Sequence, residues 1–226
     1  LTCNEENFIT KSGVQKFLQD SNTMIICPDT SPRGLNLPNE HDSYDFGSGA
    51  GFYVNSLTPE YKNNYNMFDY VNNELHNIIT NKFINCLAKV SIMGHSMGGH
   101  GAITIGLNNP DRYTSISAFS PICHPMDCPW GEKALGNYLG PDKSAWKKHD
   151  ASELLRTAET QLPLLVDQGL ADNFLEEQLK PEALETAAAE SGYAMKLRRH
   201  EGYDHSYFFI SSFIDEHLRF HAKYLG

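Results

Sequence analysis

Short, nearly continuous apolar runs recur along the chain, separated by stretches whose apolar residues repeat at helical spacing. The runs are Met24-Ile25-Ile26-Cys27, Val90-Ser91-Ile92-Met93, the stretch from Thr114 to Phe119, and Leu162 to Asp167, followed by the alternating Tyr193 to Arg199. Runs of this length read as strands buried on both faces. Between them, Val14, Phe17 and Leu18 predict a helix of about two turns, opened near Ser12 and stopped at Asp20-Ser21-Asn22. Met67, Tyr70, Val71, Leu75, Ile78 and Ile79 predict a helix within Tyr65 to Phe83. Ala102, Ile103, Ile105 and Leu107 predict another, ended by Asn108-Asn109-Pro110. Phe174, Leu175 and Leu179 start a helix that Pro181 restarts and Ser191-Gly192 ends. Ser206 to Tyr224 closes the chain as a helix, with Phe209, Phe213, Ile214, His217, Leu218 and Phe220 near its buried stripe. Strands alternating with helices predict an α/β fold, a mostly parallel sheet with helices on both faces and its sites at the carboxyl ends of the strands.

Two stretches break the alternation. Residues 30–59 are punctuated by Pro32, Gly34, Pro38, Gly47, Gly49, Gly51 and Pro59, with Tyr44, Phe46, Phe52 and Tyr53 among them. A loop this long inside a compact domain is either functional or a surface loop pinned by its aromatics. The second stretch, about 120–150, carries Cys123, His124, Cys128, Trp130 and Trp146 and is expected to form a cap-like excursion from a single domain spanning 1–226.

The candidate chemistry sits at Gly94-His95-Ser96-Met97-Gly98-Gly99-His100-Gly101, between one predicted strand and one predicted helix. Gly-x-Ser-x-Gly in that context is a nucleophile elbow, a strained turn that exposes Ser96 Oγ at the end of the strand. The Met97 N–H, at the start of the helix, then faces any oxyanion formed on a carbonyl under attack. The motif alone is common by chance; the strand before it and the helix after it carry the reading.

Composition narrows the partners. The 226 residues hold 18 Lys and Arg against 28 Asp and Glu, a formal charge of −10 that repels nucleic acid and anionic membranes. No apolar run approaches the roughly 18 residues of a membrane span, and no secretory leader is recognisable, so a cytoplasmic protein is expected. The five cysteines, Cys3, Cys27, Cys86, Cys123 and Cys128, are odd in number and read as reduced thiols, with a Cys123–Cys128 bridge open in an oxidising compartment. Cys123, His124 and Cys128 make a poor metal site because adjacent ligands converge badly and no fourth is evident. Neither metal nor cofactor is expected.

A serine nucleophile needs an imidazole base, and the base needs a carboxylate to fix its tautomer. Asp172 and His205 each lie just beyond a predicted strand, and with Ser96 they give the chain order Ser, Asp, His of the α/β-hydrolase fold. Asp167, inside its strand, reads as a structural acceptor, and Asp204 as a turn-former. His95 and His100 lie too close to Ser96 in sequence for easy approach.

Several motifs together closely resemble the S-formylglutathione hydrolase family, also called esterase D. They are Leu1-Thr2-Cys3, Glu6-Asn7-Phe8, Cys27-Pro28-Asp29-Thr30-Ser31-Pro32-Arg33-Gly34, Asp45-Phe46-Gly47, the elbow, Cys128-Pro129-Trp130-Gly131, Asp167-Gln168-Gly169 and Glu201 to Tyr207. The resemblance implies hydrolysis of the thioester S-formylglutathione to glutathione and formate, in formaldehyde detoxification, with Ser96, Asp172 and His205 as triad. It also implies oxyanion donors at the N–H groups of Met97 and Leu1. Trp130 and Arg33 are candidates for contact with the glutathione portion, and Cys3 lies beside the oxyanion loop. The expected partner is this small molecule, with a homodimer kept open.

The family's first strands precede the Leu-Thr-Cys stretch and are absent here. The expectation is therefore a fragment of the working protein, with an open sheet edge beside the elbow strand and no strand to hold the loop bearing Leu1. The alternatives are a general short-chain carboxylesterase and a non-catalytic binding protein on a hydrolase fold.

Overall fold

A computed structural model describes residues 1–19, 21–83 and 89–226. Asp20 and Cys86, both used above, lie outside them. The chain opens with α1 (Glu5–Lys11) and the single turn α2 (Gln15–Leu18). It is helical again from α3 (Met67–Asp69) through a π-helical segment, Tyr70–Leu75, into α4 (His76–Lys82). Then come β1 (Val90–His95), α5 (Met97–Asn108) and β2 (Tyr113–Phe119). The excursion holds α6 (Pro129–Leu139) and α7 (Lys143–Trp146), and α8 (Ala151–Thr157) follows it. The chain ends through β3 (Leu164–Gly169), α9 (Pro181–Ser191), β4 (Met195–His200) and α10 (Tyr207–Leu225).

The four strands form one parallel sheet in sequence order, β1-β2-β3-β4. Side chains alternate across it as strand geometry requires. Ile116 and Ala118 of β2 and Leu164 and Val166 of β3 face the larger core, shared with α5, α6, α8 and α9. Phe119 faces the opposite side, where Phe209, Ile210 and Ile214 of α10 and Val14 near α2 pack on it. Helices therefore cover both faces, as the alternation predicts.

Three local expectations are corrected. The helix expected from near Ser12 is the single turn α2, and an unexpected helix, α1, runs ahead of Ser12. Asn4 caps it, its side chain accepting from the Glu6 N–H while the Asn7 side chain accepts from the Asn4 N–H, and Ser12 ends it. Met24 to Cys27 pairs with no strand among the described residues, and Met24 and Ile26 are exposed. The loop bearing Leu1 is nonetheless held. The Thr2 N–H donates to the Gly49 carbonyl, and the Cys3 carbonyl accepts from Thr30 Oγ1 and Arg33 Nη2, so the 29–51 loop does the work expected of a strand.

The long loop is pinned by rings. Phe46, Tyr61 and Tyr65 surround Tyr138 of α6 with centroids 4.7 to 5.5 Å from its own. Tyr138 Oη donates to the Ala50 carbonyl and accepts from the Gly47 N–H, so one buried phenol satisfies two backbone groups of a segment with almost no ladder of its own.

Candidate active site

β1 ends at His95, and Ser96 follows with φ 58° and ψ −120°, a conformation costly for a residue with a Cβ. Its surroundings hold it there. The Ser96 N–H donates to the Phe119 carbonyl of β2, and the Ser96 carbonyl accepts the His100 N–H of α5. A Cβ at Gly94 would stand 2.1 Å from the Gly98 carbonyl oxygen, which is why the strand and helix meet only over a glycine. Met97 is the first residue of α5, so its N–H has no helical acceptor.

Asp172 and His205 meet. His205 Nδ1–H donates to Asp172 Oδ2 at 2.5 Å, and Asp172 Oδ1 accepts the Phe174 N–H at 2.9 Å. The carboxylate side chain is fully buried and the imidazole mostly so. With Nδ1 committed as donor to a carboxylate, the neutral ring carries its free lone pair on Nε2. The ring lies 4.5 Å, centroid to centroid, from that of His95, the residue immediately before Ser96. The two loops are also joined by backbone: the Leu170 N–H donates to the His200 carbonyl and the Ala171 N–H to the Tyr203 carbonyl.

One wall of the site is aromatic. Phe174 stands edge-on to His205 at 5.1 Å and tilted against Trp130 at 4.7 Å, and Trp130 Nε1 donates to Tyr44 Oη. Sequence reasoning picked Trp130 and missed Phe174, whose only sequence signal was its place two residues after Asp172. Arg33 is tied down: it grips the Asp29 carboxylate with Nε and Nη2 and donates to the Cys3 carbonyl, holding the carboxyl of Asp29 below its usual range. Cys3 is half-buried beside it. Leu1 packs against the main core.

The passed-over groups have other work. His100 Nε2 bonds the Phe52 carbonyl, and burial lowers that ring's pKa to about 4. Burial and the neighbouring His205 hold His95 neutral. Asp204 Oδ1 accepts the Ser206 N–H in a turn. Cys123 and Cys128 are buried free thiols, and among the described residues no cluster suited to a metal ion occurs.

Comparison with known proteins agrees with this architecture. The model of the family described as "Putative esterase" matches residues 1–220. The S-formylglutathione hydrolases of Rattus norvegicus and Mus musculus are each 50% identical over 228 aligned residues, covering 100% of this chain and 81% of theirs. The chain belongs to the S-formylglutathione hydrolase family. The structure of a family member from Agrobacterium tumefaciens superposes with a TM-score of 0.96 at 44% identity, covering 100% of this chain and 82% of that one. A fluorophosphonate-binding serine hydrolase of Staphylococcus aureus, 18% identical, shares the fold with a TM-score of 0.73 over 100% of this chain and 80% of its own. Family membership makes the chain a hydrolase on the α/β-hydrolase fold. Among the described residues no helix is long and apolar enough to cross a membrane.

Proposed function

We propose that this chain hydrolyses S-formylglutathione to glutathione and formate, with Ser96 as nucleophile, His205 as general base and Asp172 as the carboxylate that orients it. The observation that carries the reading is the 2.5 Å His205–Asp172 bond set beside the strained Ser96, in a chain half identical to two S-formylglutathione hydrolases. Ser96 Oγ attacks the formyl carbon while His205 Nε2 accepts its proton. The oxyanion is held by the Met97 N–H, with the Leu1 N–H as second donor. Collapse of the tetrahedral intermediate breaks the carbon–sulfur bond and leaves Ser96 formylated, and the departing glutathione thiolate takes the proton held on His205 Nε2, which is neutral again. Water, deprotonated by His205, then attacks the ester, and formate leaves as Ser96 recovers its proton. A thiol of pKa about 8.5 leaves with little protonation, so thioesters outpace matching oxyesters.

The Tyr44, Trp130 and Phe174 wall supports glutathione contact on that side and a cap-like role for the 120–150 excursion, within a single domain. Arg33 fits a scaffolding role better than a substrate contact, since its donors are engaged on Asp29 and Cys3. The four described cysteines are free thiols, which supports action in a reducing compartment such as the cytoplasm, in formaldehyde detoxification.

The test is turnover of S-formylglutathione by wild type and Ser96→Ala. We expect kcat to fall by on the order of 10⁴-fold or more, and no labelling of the variant by a fluorophosphonate probe. Comparable turnover by both proteins would remove Ser96 from the mechanism.

A further inference from the structure

Behind the sheet, on the face covered by α10, lies a second grouping of serine, histidine and aspartate. His217 Nδ1 pairs with Ser117 Oγ at 2.8 Å, and its Nε2 lies 3.2 Å from Asp167 Oδ2, with all three side chains inaccessible. Without solvent access it binds no substrate. What it touches is informative instead.

Asp167 lies on the segment that leads to Asp172, pairs with the one that leads to His205, and reaches the one that leads to Ser96 through β2. It lies on β3, five residues before Asp172. Across the sheet its register partner is Arg198 of β4, whose Nε and Nη2 each reach one carboxylate oxygen at 2.6 Å. β4 runs directly into the loop that carries His205. On the third side is His217, whose ring stacks on Phe119 at 3.8 Å and 18°. Phe119 supplies the carbonyl that accepts the Ser96 N–H, and the next residue, Ser120, donates its N–H to the Asp167 carbonyl. The buried carboxylate thus sits on the strand that leads to Asp172, is one contact from the strand that leads to His205, and is linked to Ser96 through His217 and Phe119.

The loops beyond this point have no slack. A Cβ on Gly169 would lie 2.4 Å from the Tyr203 carbonyl oxygen, so the two loops touch backbone to backbone where they leave the sheet. A shift of β4 against β3 is therefore passed to the His205–Asp172 bond rather than absorbed before it. Arg198 is the element that fixes that shift, and its outer end is tethered by Glu216 of α10.

We propose that Asp167, gripped by Arg198 and packed against His217, is a positioning centre that sets the spacing of Ser96, Asp172 and His205. The proposal rests on the triad reading above. A bidentate guanidinium–carboxylate pair fixes both distance and angle, which an ammonium cannot do. Small misplacements of a base cost far more in rate than in binding.

The experiment measures kcat and KM for S-formylglutathione, and solvent exchange of the low-field proton on His205 Nδ1, each below the unfolding temperature. Arg198→Lys keeps the charge and loses the fork. We expect kcat to fall about tenfold with KM changed less than about twofold, and faster exchange of the proton. Ser117→Ala, which frees His217 on its other side, should lower the unfolding temperature and leave kcat within about twofold. Wild-type kcat and exchange in folded Arg198→Lys overturn the proposal, as does a kcat loss in Ser117→Ala equal to that in Arg198→Lys. Should Arg198→Lys fail to fold, Glu216→Gln, at the exposed end of the same guanidinium, decides. A kcat loss of about two- to threefold with faster exchange supports the proposal, and no change overturns it. Ser96→Ala in the same assay separates the readings. Activity there overturns the triad, whereas its loss beside an unaffected Arg198→Lys overturns only the positioning centre.

Discussion

Around Tyr138 the chain buries four aromatic rings and the Glu40 carboxylate, whereas between the sheet and α10 it buries Asp167, two imidazoles and two serines against a largely buried guanidinium. Both regions hold segments that reach the active site. In the first, ring contact supplies area and phenol groups satisfy backbone; Tyr65 Oη donates to Glu40 Oε1, and Tyr138 Oη serves Ala50 and Gly47. In the second, direction and charge dominate. The Nδ1 of His217 accepts from Ser117, whose own oxygen then accepts from His221 Nε2, and His221 Nδ1 accepts from Ser115. That order follows once the Nε2 proton of His217 faces the carboxylate. A loop with no ladder can be pinned by shape alone, but strands that must be aligned to a fraction of an ångström need groups that specify angle.

The sharpest way to break the contrast is to remove the charge from one side. Asp167→Ala leaves Arg198, one-fifth exposed, without its buried partner. We expect a loss of about 3–5 kcal/mol in urea unfolding, larger than any single hydroxyl removal around Tyr138. A loss below about 1 kcal/mol would mean the carboxylate is not the anchor drawn here.

Acid and alkali should separate the regions next. Burial pushes the pKa of His221 down to about 3 and lowers that of His217, against about 6.5 in the unfolded chain. The unfolded state therefore binds more protons, and stability is full above about pH 6.5 and lost as pH falls. His221 alone removes about 2 kcal/mol by pH 5. Asp167, held near 2 by His217 and Arg198 despite its burial, extends the loss through the carboxylate range to about pH 2. The tyrosines run the other way. Burial raises Tyr65 and Tyr138, so their contribution is intact below about pH 10 and lost as the unfolded phenols ionise. Unfolding midpoints across pH 4 to 11 check both limbs, and His221→Gln should flatten the acid limb only.

Tyr138→Phe keeps the ring and deletes the phenol, stranding the Gly47 N–H and the Ala50 carbonyl. A cost of about 1.5 kcal/mol is expected, the same at pH 8 and at pH 5, although the α10 face weakens below about pH 6.5. The midpoint of chemical denaturation at both pH values measures it.

The difference between the regions also explains how far sequence reasoning reached. Strands such as Leu164–Gly169 were legible because a parallel sheet buries both faces and writes a continuous apolar run. Asp172 and His205 were legible from their places after strands. Phe174, Tyr44 and Arg198 were not, because a wall or a cross-strand pair depends on which strands become neighbours. The stripe of α10 was read as Phe209, Phe213, Ile214, His217, Leu218 and Phe220, and among the described residues its buried positions are Phe209, Ile210, Ile214, His217 and His221. Two histidines there make sense only once Ser115, Ser117 and Asp167 are known to face them. Met24 to Cys27 shows the opposite limit, since an apolar run predicts a strand without saying what pairs with it.

The smallest expected effect tests whether the polar layer acts as one chain or as separate pairs. Ser91 of β1 stands at its far end, 2.7 Å from Ser115 Oγ and 3.0 Å from Thr114 Oγ1. β1 is at the edge of the described sheet and only half-buried, so water can replace what a lost hydroxyl gave. Ser91→Ala should cost about 0.5–1 kcal/mol. If hydrogen bonds along the layer polarise one another, Ser91→Ala combined with Ser117→Ala should cost less than the sum of the two, since Ser91 then supports a chain already cut. Strict additivity would instead make the layer a row of independent pairs, each hydroxyl contributing on its own.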